Sequence, residues 1–415
     1  MRRISYGRER PDWEALIRAE GLVFVDTVLP GGSITKYWRE GPYYQFQPAE
    51  IAALEQHSAT LFDMCVTAGD HMVAHPSIMR RMGIPDAAHE QIAATWESEP
   101  PSVYARFDLR YAGPGDHARD DPSLLLPQLL EFNADTPTSL LESAVIQWRW
   151  FEQTRQGSDQ WNALHERLID AWRRQLAIHA ARLGRPVELV HFVYTGAEDS
   201  GEDQMNTTYL ADTCEQAGYA VDILLAEDIG LGDDGHFYDL KRRKIDVLFK
   251  LYPWEWMVDD DFGPAALASM ARPDGTTFVE PIYKMLWSNK GLLPVLWSLF
   301  RDDEARRGLL LPAYFGDDDH DLDAYVTKPL LGREGANIRI VNHGATIAAV
   351  DGPYGDQPHV VQKFAPLPRF DATGGPQHPV IGVWLIDGEP AGLAIRESDG
   401  LITDNTSYFV PHTIA

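Results

Sequence analysis

Apolar positions along the chain change period several times, and each change marks a different kind of element. From Pro48-Ala49-Glu50 onward, Ile51, Leu54, Leu61, Met64 and Cys65 recur near helical spacing, so a long amphipathic helix is predicted there. The first hundred residues are expected to be mostly helical after a short entry segment. Between 102 and 134 the period drops to two. Val103, Phe107, Leu109 and Tyr111 alternate with polar neighbours, as do Leu130, Phe132 and Ala134. Turn-forming Gly113-Pro114-Gly115-Asp116 and Asp120-Asp121-Pro122-Ser123 lie between them, which predicts a long-looped hairpin.

Thr136-Pro137 is read as the start of the next helix, with Thr136 as N-cap, Pro137 at the first helical position, and Leu140, Leu141, Ala144, Val145, Trp148 and Phe151 as its apolar stripe. A second amphipathic helix is predicted over about 160–183, ending at Gly184. Residues 188–260 then take on a strand–helix–strand rhythm, with Leu189–Val193, a helix near 206–217 and Val221–Leu225. From about 325 the pattern becomes antiparallel sheet: Tyr325–Leu330, Asn337–Val341, Ala345–Val350, Val360–Phe364, and a hairpin of Val380–Ile386 with Ala391–Arg396 around Asp387-Gly388. The Pro/Gly-rich stretch 365–379 reads as a loop. The predicted class is mixed α/β (α+β), one catalytic unit of three subdomains near 1–185, 186–260 and 261–415.

Composition narrows the function. With 415 residues and 44% hydrophobic content the chain has ample material for a large core. A net charge of −26 argues against nucleic acid as a partner, because neutralising phosphates requires a basic face. No apolar stretch is long enough to cross a bilayer, and the charged start is not followed by an apolar signal-peptide core, so no membrane partner and a cytoplasmic location are expected. The two cysteines, Cys65 and Cys214, provide neither a disulfide framework nor a Cys-x-x-Cys metal or redox motif.

Three constellations carry candidate chemistry. On the 102–134 hairpin, Arg106 and Asp108 share one strand face, as do Glu131 and Asn133. If the strands pair, this polar face is either a solvated surface or a hard oxygen-ligand set of the kind that holds Mg²⁺. In Lys328-Pro-Leu-Leu-Gly-Arg-Glu-Gly-Ala-Asn337, a lysine at a strand end precedes a turn containing Gly332 and Gly335. That is a plain glycine hairpin, or a backbone cradle for phosphate with Lys328 and Arg333 supplying charge. Lys290 is embedded in the apolar run from Trp287 to Trp297, where an ammonium either snorkels to water or meets an anion. Arg396 closes a hairpin strand.

Other patterns lead nowhere specific. His71 and His75 lack the glutamate of His-Glu-x-x-His. Asp317, Asp319, Asp321 and Asp323 alternate as in a calcium loop, but Leu322 occupies its glycine position.

In sequence order, Arg106-Phe-Asp108, Glu131-Phe-Asn133-Ala-Asp-Thr-Pro-Thr-Ser139, Phe249-Lys-Leu-Tyr-Pro-Trp-Glu255, Ser288-Asn-Lys290, Leu311-Pro-Ala-Tyr-Phe315 and Lys328-Pro-x-x-Gly-Arg333 resemble the synthetase domain of the glutathionylspermidine synthase family. The resemblance covers nearly the whole chain and matches short members that lack the amidase domain. It implies an ATP-grasp-type fold, with an antiparallel ATP-binding sheet and an α/β substrate subdomain, that joins a carboxylic acid to an amine while hydrolysing ATP to ADP. By the same resemblance, Asp108, Glu131 and Asn133 would hold Mg²⁺, and Arg106, Arg333 and Arg396 would serve the reacting centre. Lys290, Lys328, Gly332 and Gly335 would surround the ATP phosphates, with Gln362, Lys363 and Phe364 at the adenine edge. Thr136, Thr138 and Glu202 would face substrate, and the acidic stretch Glu198-Asp199-Ser-Gly-Glu202-Asp203 falls where the family recognises it. The partners implied are small-molecule acid and amine substrates, with a glutathione-like acid and a polyamine as candidates. The alternatives are a phosphotransferase using the same nucleotide site, or an ATP-binding scaffold without turnover.

Overall fold

The helix opened by Pro48 is the longest element, and its start is locally encoded. Pro48 occupies the first turn, while Gln47 and Glu50 form a reciprocal capping box over the Pro48–Ala74 helix. Its buried face, including Ile51, Leu54, Leu61, Met64, Cys65, Ala68 and Met72, is the apolar face anticipated from periodicity. Before it, the chain is less helical than expected: one short helix, Trp13–Ala19, lies among the short strands Arg2–Ser5, Asp26–Val28, Ile34–Lys36 and Pro42–Phe46. Such three- to five-residue strands leave too little alternation to read. The computed structural model describes residues 1–29, 32–196 and 200–415. Glu198 and Asp199 therefore lie outside the described residues.

The 102–134 hairpin forms as predicted, from Tyr104–Arg110 and Gln128–Asn133. Its outer partner comes from the far end of the chain. Gly375–Ile386 pairs antiparallel with Tyr104–Arg110, and Glu389–Ser398 and Tyr408–Phe409 extend the sheet. The two long strands turn at Asp387 (φ 54°) and Gly388 (φ 81°), the pair of positive angles that a two-residue primed hairpin turn requires. The 365–379 stretch is not wholly loop, because Phe370–Ala372 pairs with the start of Gly375–Ile386.

Alternation along Tyr104–Arg110 divides the sheet between its environments. Ala105, Phe107 and Leu109 enter one apolar core, where the rings of Phe107 and Phe132 lie 4.2 Å apart. Tyr104, on the opposite face, joins a second core with Trp384. Burying each of these large side chains is worth roughly 2–3 kcal/mol, so register is strongly fixed here.

The α/β unit is a four-stranded parallel sheet in the order Thr277–Val279, Val247–Leu251, Leu189–Tyr194, Ala220–Leu225, with Glu202–Gln216 as the crossover helix of the last pair. Leu164–Leu183 precedes it and ends at Gly184 in the left-handed conformation, as the sequence suggests. A five-stranded antiparallel sheet follows, ordered Ala313–Phe315, His359–Lys363, Ala324–Pro329, Arg339–Asn342, Ala345–Ala349.

One helix start is displaced. Residues 134–139 form an irregular loop, helix begins at Leu140, and Ser139 sits at φ 68°. Thr136 is thus not an N-cap; its hydroxyl accepts a hydrogen bond from Arg333 instead. The following helix contains a π segment, Glu142–Ile146, before the regular Gln147–Thr154. The wider turn rotates the later residues, so Ser143, Gln147 and Trp150 are buried while Val145, Trp148 and Phe151 are only partly so.

Candidate active site

Cross-strand register brings the polar residues of the hairpin together. Arg106 lies opposite Asn133 and Asp108 opposite Glu131, with a bulge just beyond Asp108 that re-aims the strand. This face is not solvated: Arg106 and Asp108 are 6% and 5% exposed. The Arg106 guanidinium donates to Asp108 Oδ1 at 2.8 Å and to the Thr138 carbonyl, while its face lies 5.3 Å from the Trp384 ring centre. Arg396 and Asn133 both donate to Asp108 Oδ2, at 3.1 and 3.3 Å. Burial pushes the Asp108 carboxyl up, but the charges of Arg106 and Arg396 outweigh it and hold it below the usual carboxylate range.

Two lysines from distant segments reach the second strand of the hairpin. Lys290 Nζ contacts Glu131 Oε1 at 2.7 Å and the Gly332 carbonyl at 2.5 Å. Lys328 Nζ donates to the Leu130 carbonyl at 2.9 Å and to Gln362 Oε1 at 2.8 Å. Burial lowers the Lys328 ammonium to about 8, with Glu131 opposing the shift and Lys290 reinforcing it. Gln362 also donates to the Leu129 carbonyl, so the five-stranded sheet is tied to the hairpin through Gln362 and Lys328.

An open cleft lies between these two sheets, lined by Asp108, Glu131, Lys328, Gln362, Lys363, Phe364 and Arg396 together with apolar Leu130, Val326, Ile338, Ile340 and Leu367. Its lining combines charged and amide groups with aliphatic side chains, the mixture found in small-molecule sites. Gly335 (φ 72°) packs beside it: a Cβ there would come within 2.8 Å of the carbonyl of Thr403, a lining residue.

Arg333, on the same glycine turn, joins three parts of the molecule. It donates to Thr136 Oγ1 at 2.7 Å, lies 3.5 Å from Glu255 and sits over the Trp256 ring. Thr136 and Thr138 therefore take part as loop residues, Thr138 through its backbone. Glu202 starts the crossover helix, and its charge bears on the buried Glu142 and Tyr37.

Sequence reasoning missed several groups that hold this loop. Ser288 Oγ accepts the amide N–H groups of Ala134 and Asp135 at 3.0 and 2.8 Å. Asp135 pairs with Lys250 at 2.7 Å and accepts the Trp254 amide at 2.8 Å. Glu142 is fully buried, accepts the Tyr37 hydroxyl at 2.9 Å and, among the described residues, leaves Oε2 without a hydrogen-bond partner. Burial, reinforced by Glu202, pushes its carboxyl up to about 7. Ser288, Lys250 and Asp135 did lie inside the quoted motifs. Glu142 carried only the weak signal of a carboxylate flanked by Leu141 and Ser143.

Among the described residues there is no cluster of three His, Cys, Asp or Glu side chains suited to a metal ion. The donor set at the hairpin is instead two carboxylates and an amide. Asp108 and Glu131 are cross-strand neighbours and Asn133 touches Asp108, which is hard-oxygen chemistry compatible with a Mg²⁺ that keeps water and phosphate ligands. The Asn133 amide is oriented with its nitrogen toward Asp108, so ligation through oxygen would require it to flip.

A family model described as glutathionylspermidine synthase, preATP-grasp, matches residues 4–415. The chain belongs to the glutathionylspermidine synthase family. Family membership makes it an ATP-dependent ligase. It is 34% identical to a Haemophilus influenzae protein named "Putative acid--amine ligase", over 99% of both chains. It is 24% identical to the bifunctional glutathionylspermidine synthetase/amidase of Escherichia coli, over 90% of this chain but only 59% of that longer enzyme. Among solved structures, a glutathione synthetase-like effector from Globodera pallida shares the fold with a TM-score of 0.54 at 10% identity, covering 98% of each chain. The mixed α/β architecture anticipated from sequence is the architecture of this synthetase-like group. No helix among the described residues is long and apolar enough to cross a membrane.

Proposed function

We propose that the protein is an ADP-forming carboxylate–amine ligase that forms an amide through an acyl-phosphate intermediate, with MgATP in the cleft between the hairpin and the five-stranded sheet. The observation carrying this reading is that Asp108, Glu131, Lys328 and Arg396 line one cleft, with Arg106 bonded to Asp108 and Lys290 to Glu131 behind them, so that five separate segments converge there. Such an arrangement suits phosphoryl transfer, where catalysis is mostly positioning and charge stabilisation. Asp108, Glu131 and Asn133 would hold Mg²⁺, whose chemistry when bound is neutralisation of phosphate charge.

Lys328 and Lys290 would meet phosphate oxygens, and Gln362, Lys363 and Phe364 would border the base. Arg106, fixed by Asp108 and the Thr138 carbonyl, is held ready to orient the substrate carboxylate. Once that carboxylate is activated, a neutral amine displaces phosphate, and Arg106 with Arg333 would stabilise the tetrahedral oxyanion. A peptide- or glutathione-like acid and a polyamine or other amine are the substrate classes suggested by the relatives' names.

The test is a mass-spectrometric screen of the purified protein with MgATP and pooled acids and amines, run beside Glu131→Ala. An amide product formed only with both substrates, and lost in Glu131→Ala, is expected. A phosphorylated product without amide would favour the phosphotransferase alternative, and equal turnover by Glu131→Ala would remove the metal-site assignment.

A further inference from the structure

The parallel sheet ends beside a second cavity, separate from the nucleotide cleft. In a parallel α/β unit the strand ends and their following loops are where ligands settle, because backbone and side chains converge there without a covering helix. Here Val193 and Lys250, paired in register near the ends of Leu189–Tyr194 and Val247–Leu251, share one face. Together with Leu248, Phe237, Phe278, Ile229 and Met257 they line a pocket of about 130 Å³ that is open on one side. Val193, Leu248, Phe237 and Phe278 are each no more than 3% exposed, yet they line empty space. Large apolar side chains normally fill such space, and a dry apolar cavity of roughly 150 Å³ accepts benzene. The natural occupant is an apolar group of about that size.

The mouth carries the opposite character. Glu227 accepts the Thr195 hydroxyl and the Gly196 amide at 3.0 Å, and Asp260 accepts the Tyr252 hydroxyl at 3.1 Å; all of these residues except Gly196 line the cavity. Burial, then the hydrogen bond to Asp260, then the charges of Asp260 and Glu227 push the Tyr252 phenol up to about 12, so both carboxylates act on the same place. Among the described lining residues the cation is Lys250, and its ammonium is paired with Asp135 at 2.7 Å and donates to the Tyr252 carbonyl at 3.0 Å. A net anionic rim over an apolar chamber selects an ammonium compound with an apolar body. The Lys250–Asp135 pair also joins this wall to the loop directly after Asn133, so the chamber adjoins the proposed reaction centre.

We propose that this cavity receives the apolar body of the amine substrate, a primary amine carrying a phenyl- or isobutyl-sized group, with Glu227 and Asp260 guiding its ammonium head. The assignment rests on the ligase reading for the amine's fate, but the cavity's selectivity is measurable without turnover. Calorimetric titration of the full chain with methylamine, isoamylamine, phenethylamine and 3-phenylpropionate tests it. Each buried methylene is worth on the order of fourfold in affinity, so phenethylamine should bind at least tenfold more tightly than methylamine.

Ala226→Phe, or Met257→Trp from the neighbouring helix, fills the chamber and should abolish that gain. Glu227→Gln with Asp260→Asn should erase the preference for phenethylamine over 3-phenylpropionate. Equal affinity for methylamine and phenethylamine, tighter binding of 3-phenylpropionate, or an unchanged gain in both filled variants would overturn the assignment. Binding of a fluorescent ATP analogue, read in every variant, controls for folding. It also separates the two ideas: if the parent takes up no nucleotide, the ligase reading fails whatever the amines do.

Discussion

The Lys250 ammonium and the Asp135 carboxylate meet at 2.7 Å with both side chains 1% exposed, joining the parallel sheet to the loop that leaves the Tyr104–Asn133 hairpin. Removing one partner of such a pair strands a buried charge, at a cost of about 3–5 kcal/mol. Asp135→Asn should therefore lower the thermal midpoint markedly by calorimetry. Asp135→Asn combined with Lys250→Met should recover part of the loss, and a double variant no better than the single one would show that the pair is not the source.

Arg106 differs from a simple cation because its fork reaches Asp108 and the Thr138 carbonyl together. Arg106→Lys keeps the charge and loses that geometry. Turnover should fall by about 10²–10³ while ATP affinity changes little, the pattern of a group acting on the reacting centre. Steady-state kinetics with the product identified in the screen would check it, and near-parental turnover would demote Arg106 to a structural role.

Burial pushes the Lys328 ammonium down to about 8, low enough to matter under ordinary assay conditions. If it meets phosphate, nucleotide affinity should be highest below that value and decline as pH rises through it, because the deprotonated amine offers no charge. Titration of a fluorescent ATP analogue between pH 7 and pH 9.5 should show the decline. In Lys328→Met affinity should be weaker at pH 7 and nearly flat, approaching the parental value at high pH; a parental pH profile there would assign the titration to another group.

Glu142 is held protonated up to about 7, above its ordinary value of 4.5. The folded protein then binds this proton more tightly than the unfolded chain does, so the contribution to stability is full at acid pH and fades as pH rises through that window. Glu142→Gln, which keeps the shape and a donor, should remove this dependence. The difference in thermal midpoint between variant and parent should grow in the variant's favour from pH 5 to pH 8. A constant difference would mean that Glu142 titrates normally.

The legible parts of the molecule were those encoded over a few residues. Period-two alternation identified the Tyr104–Arg110 and Gln128–Asn133 strands, and the side-chain rule put Arg106 with Asp108 on one face. Asp387-Gly388 marked its hairpin, and Gly184 its helix end. What escaped was set by tertiary contacts. Thr136-Pro137 looks like a helix start, but the threonine hydroxyl accepts from Arg333 and the helix begins only at Leu140. The π turn at Glu142–Ile146 shifts the buried face by an amount that no repeat announces. The partners of Lys290 and Lys328 lie 159 and 198 residues away, at Glu131 and Leu130, beyond the reach of any periodicity.

The central sheet sets residues 104–133 beside residues 375–409, with the whole α/β unit and the five-stranded sheet in between. A ribosome would therefore complete the long Pro48–Ala74 helix and the parallel sheet well before the strand that borders Arg106 and Asp108 existed. Until then the edge of Tyr104–Arg110 has no partner, an open template for wrong pairing. Fragments ending before Gly375 should accumulate as aggregates rather than as partially active enzyme, and expression of the protein should respond more to chaperone supply than its size alone would suggest.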